Sequence, residues 1–189
     1  MRLIYLSEAN LRDRLFVRDL VFNYKTQDKA LLIHATFGGT VSDTRFVTKR
    51  LSALYSEAMV YNNAFPAGQR NIFQSNTEGQ LVVDTDRIDS LLQTIQMLII
   101  SPIMPDEVGE DKLVDPLQLL QASRYALEAD EVLVFPDNPM SPLASQKPLI
   151  NEAADLQKWQ AIYEEEGAAL SRAMELRPAR MVSPQNYGQ

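Results

Sequence analysis

Three groups of residues in this 189-residue chain are of types that handle charged ligands. Gly38, Gly39 and Thr40 follow the apolar run at 30–34 and precede a helical pattern. Glycines between a strand and a helix expose backbone amides that can hold a carboxylate or phosphate at the helix N-terminus. The same pair also fits a tight turn that needs positive φ. No Gly-Lys-Ser/Thr follows, and the spacing is not a dinucleotide fingerprint. Arg70, with Arg45, Lys49 and Arg50, supplies cations for a carboxylate or phosphate, or simply a solvated surface. Asp106, Glu107, Glu110, Asp111 and Asp115 form a dense acidic run, with Asp137 further on. Such a run can hold Mg²⁺ or position a cationic group; its plainer reading is a solvated loop ending in a helix cap at Asp115. His34 is the only histidine, which rules out a histidine-rich metal site and favours a satisfied structural role.

The elements that position these residues are legible as alternating strands and helices. Residues 2–6 read as a strand, and Ser7 as the cap of a helix reaching about residue 25. Residues 30–34 form a second strand, and Ser42 or Asp43 caps a helix to about residue 59. Residues 61–85 carry turn signals at Asn62-Asn63, Pro66, Gly68 and Glu78-Gly79, which predict a hairpin-like insertion. A short helix over 86–96 leads into a strand at 97–100. Asp115 then serves as N-cap with Pro116 at the first helical position, and Leu117, Leu120, Gln121, Ala122 and Leu127 lie near one helix face. A strand at 132–135 completes a parallel crossover unit, whose chemistry is expected beyond the carboxyl ends of its strands. A last helix over 152–176 carries Trp159 and Tyr163 as a packing face, and residues 177–189 read as an irregular tail. The pattern predicts one α/β domain over 1–189, a three-layer α/β/α sandwich with a mostly parallel sheet.

Composition narrows the functions further. Net charge is −7, from 25 acidic and 18 basic residues, which argues against general attraction to nucleic acid or anionic lipid. With no cysteine, disulfides, thiol nucleophiles and cysteine metal sites are excluded. No segment reads as a signal peptide or membrane span, so a soluble cytoplasmic protein is expected. The 46% hydrophobic and 23% charged content is that of a globular chain.

Several short motifs resemble the amino-acid kinase family, in its acetylglutamate-kinase-like branch. They are KALLIHATFGG at 29–39, VSDTRFVTKRLSALYSEAMV at 41–60, LIISPI at 98–103, DEVGE at 106–110, Asp115, and ALEADEVLVFPDNP at 126–139. The resemblance runs in order over residues 29–141. It implies the N-terminal, amino-acid-binding half of that fold, commonly a homodimer, with Gly38, Gly39, Thr40, Asp115 and Arg70 contacting a small acidic metabolite.

The departures from the family pattern bear on catalysis. RLIYL runs directly into SEAN, where the kinases carry lysine and two glycines; their HGGG is HATFGG here; and Asp115 is preceded by DKLV instead of the family's asparagines. About fifty residues follow FPDNP, where the kinases build an ATP-binding lobe. Phosphoryl transfer needs cations at the transferring group and a phosphate cradle. The expectation is therefore a non-catalytic relative, without catalytic residues, metal or cofactor, that binds a small acidic metabolite or acts as a regulatory or scaffolding subunit. The alternatives are an active acylamino-acid kinase and a purely structural assembly protein.

Overall fold

A computed structural model describes residues 1–13, 17, 18, 20, 29–127, 129–135, 149, 150 and 179–181. Its strands are β1 (Arg2–Leu6), β2 (Ala30–His34), β3 (Asn62–Pro66), β4 (Phe73–Ser75), β5 (Leu81–Val83), β6 (Met97–Ser101), β7 (Ile103–Pro105), β8 (Asp111–Leu113), β9 (Glu131–Phe135), β10 (Leu149–Ile150) and β11 (Ala179–Met181). The helices are α1 (Glu8–Arg12), α2 (Val41–Glu57), α3 (Thr85–Leu92) and α4 (Pro116–Ala126).

One sheet runs β10-β11-β9-β1-β2-β6-β3, with every pairing parallel except β10 to β11. In register across its centre lie Val132, Leu3, Leu31 and Leu98. Every residue of β2 and β6 is buried. Since alternate side chains point to opposite faces, both faces must be covered, and helices flank the sheet as the continuous apolar runs demand. Truncating Leu98 in the middle of this layer would cost about 3 kcal/mol. The crossover from β6 to β9 exists, but β2 and β1 lie between its two strands.

Local chemistry explains where helices start and stop. Thr40, not Ser42 or Asp43, caps α2: its hydroxyl accepts the Asp43 amide at 3.0 Å. Asp84 caps α3 and Asp115 caps α4, each accepting a backbone amide at 2.9 Å. Ser7 sits at the N-cap of α1, yet its hydroxyl takes the Asn10 side-chain amide at 2.6 Å and no backbone amide. The helix expected to run to residue 25 is interrupted after Arg12, where Asp13 turns extended (φ −86°, ψ 96°); Val17, Arg18 and Leu20 are helical again, and the rest of 14–25 lies outside the described residues. Val17, Leu20 and Leu11 are buried all the same. On α4 the buried side is Leu119, Leu120, Ser123 and Arg124, leaving Leu117, Gln121 and Ala122 only half-buried.

The stretch 61–85 divides in two. Residues 62–66 form the edge strand β3 of the main sheet, and only β4–β5 make the hairpin. The edge strand was masked in the sequence by Asn62, Asn63 and Pro66, which suit a turn but are tolerated at an edge. A second hairpin, β7–β8, occupies the acidic run and was not anticipated. Residues 179–181 are not irregular: they pair in parallel with β9. The expected helix over 152–176, with Trp159 and Tyr163, and Asp137 lie outside the described residues. No described helix is long and apolar enough to cross a membrane.

Candidate functional site

The carboxyl ends of β2, β6 and β3 are neighbours on one edge of the sheet, and all five expected ligand-binding residues follow them. Gly38, Gly39 and Thr40 come after β2, and Arg70 after β3. Asp115 stands beside the end of β6, because the Val114 amide bonds the Pro102 carbonyl at 3.0 Å. No hydrogen bond or ion pair joins Gly38, Gly39 or Thr40 to Arg70 or Asp115. The edge is shared, but each group is held by different partners.

The glycine turn has φ of 61° at Gly38 and 67° at Gly39, so glycine is required for backbone reasons. Gly38 is also crowded: a Cβ there would stand 2.8 Å from Asp43 Oδ2. Thr44 ties the turn to α2, its Oγ1 accepting the Phe37 amide at 3.0 Å and donating to the Thr40 carbonyl at 2.7 Å. One turn along, Thr48 Oγ1 lies 2.9 Å from His34 Nε2, and His34 Nδ1 lies 2.7 Å from the Ala35 carbonyl. That carbonyl can only accept, so Nδ1 carries the proton and Nε2 is an acceptor, sharing the one Thr48 hydroxyl proton with the Thr44 carbonyl, also 2.9 Å from it. Burial of His34 pushes its pKa down to about 4, opposed by the bond to Ala35. The histidine is thus a neutral latch between β2 and α2.

The Gly38 amide faces a carboxylate of the chain itself. Glu8 Oε1 lies 3.4 Å from it, at the long end of hydrogen bonding. The same oxygen pairs with Arg12, whose guanidinium sits 4.7 Å from the centroid of Phe37. Glu8 and Arg12 were missed in the sequence, although their i, i+4 spacing at a helix start signals an ion pair. Asn10 was missed too: buried, it donates to the Phe135 carbonyl at 3.0 Å and fixes the turn after β1 to the end of β9.

The other candidates are equally engaged. The Thr40 hydroxyl accepts from the Asp43 amide and donates to its carboxylate at 2.9 Å. Asp115 Oδ1 accepts the Leu117 amide. Arg70 adopts left-handed backbone (φ 58°, ψ 23°), stacks 4.6 Å from the Phe65 ring centroid, and offers its carbonyl to Arg87 Nε at 3.2 Å. Its turn presses on β7: the Gly68 amide bonds the Ile103 carbonyl at 3.1 Å, and a Cβ at Gly68 would stand 2.5 Å from Pro105 Cδ. Arg70 has no carboxylate partner among the described residues.

The acidic run does not converge. Asp106 caps its own turn, accepting the Val108 and Glu110 amides at 3.0 and 2.9 Å, and pairs with Lys112. The bond from Lys112, then that from Glu110, holds its carboxyl below the usual range. Asp111 pairs with Arg45. Among the described residues no three His, Asp or Glu side chains gather to hold a metal ion.

The whole architecture has known counterparts. N-acetylglutamate synthase from Neisseria gonorrhoeae superposes with a TM-score of 0.69 at 13% identity, over 99% of this chain and 55% of that one. Aspartate kinase from Synechocystis gives 0.74 at 11%, over 99% of this chain and 39% of that one. The chain has an amino-acid-kinase-like fold. Isopentenyl phosphate kinase from T. acidophilum shares this amino-acid-kinase-like architecture at TM-score 0.60 and 8% identity, over 97% of this chain and 91% of that one. The chain spans little more than half of the synthase and less than half of the aspartate kinase. No protein-family model and no curated protein matches the sequence. On this fold, the first βα turn carries a carboxylate, Glu8, against the glycine loop. A phosphate there would meet the Glu8–Arg12 ion pair in place of the lysine and glycines that the kinases carry.

Proposed function

We propose that this protein is a non-catalytic amino-acid-kinase-like subunit that works by contact, as a regulatory or scaffolding component. The observation that carries the reading is the Glu8 carboxylate on the Gly38 amide, the position where the loop would otherwise receive a ligand anion. The hydroxyl of Thr40 and the carboxylate of Asp115 support it, since both are committed to capping helices. With the chain's own groups satisfying the loop, an external anion must displace an ion-paired glutamate.

A second reading, a binding module for a small acidic metabolite, is favoured by one feature. Arg70 is a stacked, pre-oriented cation without a carboxylate among the described residues, on the same edge as the glycine loop. A cytoplasmic homodimer is part of both readings.

Thermal-shift titration tests them together, using Mg-ATP, N-acetylglutamate, glutamate and aspartate, alone and in pairs. The contact-only reading expects no shift from any of them. A bound ligand at a hundredfold excess over Kd adds about 2.7 kcal/mol and would be plain in the melting curve. A shift with an acidic metabolite alone supports the binding module. ADP release with Mg-ATP and an acylamino acid would overturn both readings in favour of a kinase.

A further inference from the structure

The sheet ends at β3, and the outer side of that strand is unpaired among the described residues. Which groups face outward follows from the ladder to β6. The Met97 amide bonds the Tyr61 carbonyl at 3.2 Å, and the Ala67 amide bonds the Ser101 carbonyl at 2.9 Å. Alternate residues of a strand address the same neighbour, so Tyr61, Asn63, Phe65 and Ala67 face β6. The backbone groups of Asn62 and Ala64 therefore point away from the sheet, with the carbonyl of Pro66. The approach to this edge is apolar: Met59 is 88% exposed and Tyr61 74%. Met59 also closes α2 in left-handed backbone (φ 61°), a position that favours glycine. Its amide bonds the Ser56 carbonyl at 3.0 Å, and the Val60 amide bonds the Tyr55 carbonyl at 2.9 Å. A large apolar side chain is thus held in solvent where backbone and hydration both disfavour it.

Open edges are usually guarded by charge, proline or a bulge. Residues 58–66, AMVYNNAFP, carry no charge, and Pro66 guards only the last position. We propose that β3 pairs antiparallel with β3 of a second copy of this chain, about a two-fold axis at Asn63. In this register Asn62 of each strand exchanges both N–H···O=C bonds with Ala64 of the other. Pro66, which has no N–H to give, lies beyond the exchanging residues. An uncharged strip is where two molecules of net charge −7 meet with least repulsion. The charges that bracket it, Glu57 and Arg70, are opposite in sign, and antiparallel pairing sets unlike ends together. Met59 and Tyr61 then lie along the new seam, which accounts for their exposure in the single chain. The inference rests on the homodimer named in both readings above. Kinase turnover would overturn those readings and leave this interface standing, whereas a dimer that forms without β3 overturns the interface alone.

The chain has no cysteine, so Asn63→Cys sets a single thiol opposite that of the second copy. Facing residues of this kind stand about 4.5 Å apart, within the reach of a disulfide. Oxidation of the full-length variant should give a covalent dimer on a non-reducing gel. Val82→Cys, exposed but on the β4–β5 hairpin, should not. Sedimentation should find the parent chain dimeric. Ala64→Pro should weaken the dimer about tenfold, because it removes an outward N–H and leaves the ladder to β6 intact. Tyr61→Lys should weaken it too, and stands in if melting curves show that Ala64→Pro does not fold. A monomeric parent, an Asn63→Cys variant that cross-links no faster than Val82→Cys, or a dimer indifferent to the edge substitutions overturns the proposal.

Discussion

Two glycine turns lie on the same edge of the sheet and are built in opposite ways. The turn at 37–40, after β2, is held from outside itself: Thr44 takes its amide, Glu8 meets Gly38, and Asp43 fills the space above Gly38. The turn at 106–109, between β7 and β8, is held from within. Asp106 accepts two amides of its own turn, Gly109 (φ 85°) closes it with a 3.0 Å bond to the Asp106 carbonyl, and Val108 is 80% exposed. Residues 76–79, between β4 and β5, repeat the second design: Asn76 accepts the Glu78 and Gln80 amides at 3.0 and 2.9 Å, and Gly79 has φ 76°. A polar residue at a turn therefore carries different meaning according to who uses it. In the first turn it couples the site to the core; in the other two it shapes a hairpin and nothing more.

The largest expected effect exploits the coupling. His34 takes up protons in the unfolded chain near pH 6.5 but in the folded chain only near pH 4. Between those values the unfolded state binds more protons, so stability is complete above pH 6.5 and falls as pH drops toward 4, by about 3 kcal/mol in all. Urea midpoints across this window should show the loss, and His34→Gln should flatten it. Because Thr48 lies between His34 and the Thr44 carbonyl beside the glycine turn, amides at residues 37–40 should lose protection, relative to their intrinsic exchange rates, as pH falls, while those at 106–110 keep theirs. Equal loss of protection in both turns would dissolve the distinction between them.

Next in size is the glycine comparison. Gly38→Ala meets both a positive φ and the Asp43 carboxylate, and should cost about 2 to 3 kcal/mol. Gly39→Ala, Gly79→Ala and Gly109→Ala find no atom within 4 Å and face only the positive φ, about 1 kcal/mol each. Melting temperatures should fall by about 2–4 °C per kcal/mol in a chain of this size. A Gly38→Ala change no worse than Gly109→Ala would show that Asp43 yields and that the turn is not welded after all.

The same contrast explains what could be read from the sequence. The parallel core strands announced themselves, because runs such as LIYL, ALLIH and MLII have no polar alternation and must be covered on both faces. The Asp115-Pro116 helix start was equally plain, since both residue types suit those two positions. Asn76-Thr77-Glu78-Gly79 was legible as a turn from its glycine. Asp106-Glu107-Val108-Gly109 has the same pattern, but its charge drew attention to ligand chemistry, and the hairpin behind it went unseen. What sequence could not supply was the partner of each polar group. Glu8 and Gly38 are 30 residues apart, and only the pairing of β1 with β2 brings them together. Asp43 reads as a helix cap by type, whereas its oxygen is needed over Gly38 and at Thr40.

The smallest effect separates the acidic run as turn chemistry from the acidic run as a site. Asp106→Asn converts the β7–β8 turn into the design already present at Asn76, whose amide oxygen accepts the same two backbone amides. Only the charge toward Lys112 is lost, and an ion pair to so exposed a lysine contributes little. The melting temperature at neutral pH should therefore stay at the parent value, whereas Asp106→Ala, which leaves both amides to water, should lower it. The pair of variants reads acceptor geometry against charge directly. If Asp106→Asn were as harmful as Asp106→Ala, negative charge would be what holds this hairpin in place, and the likeness of the two hairpins would end at their backbones.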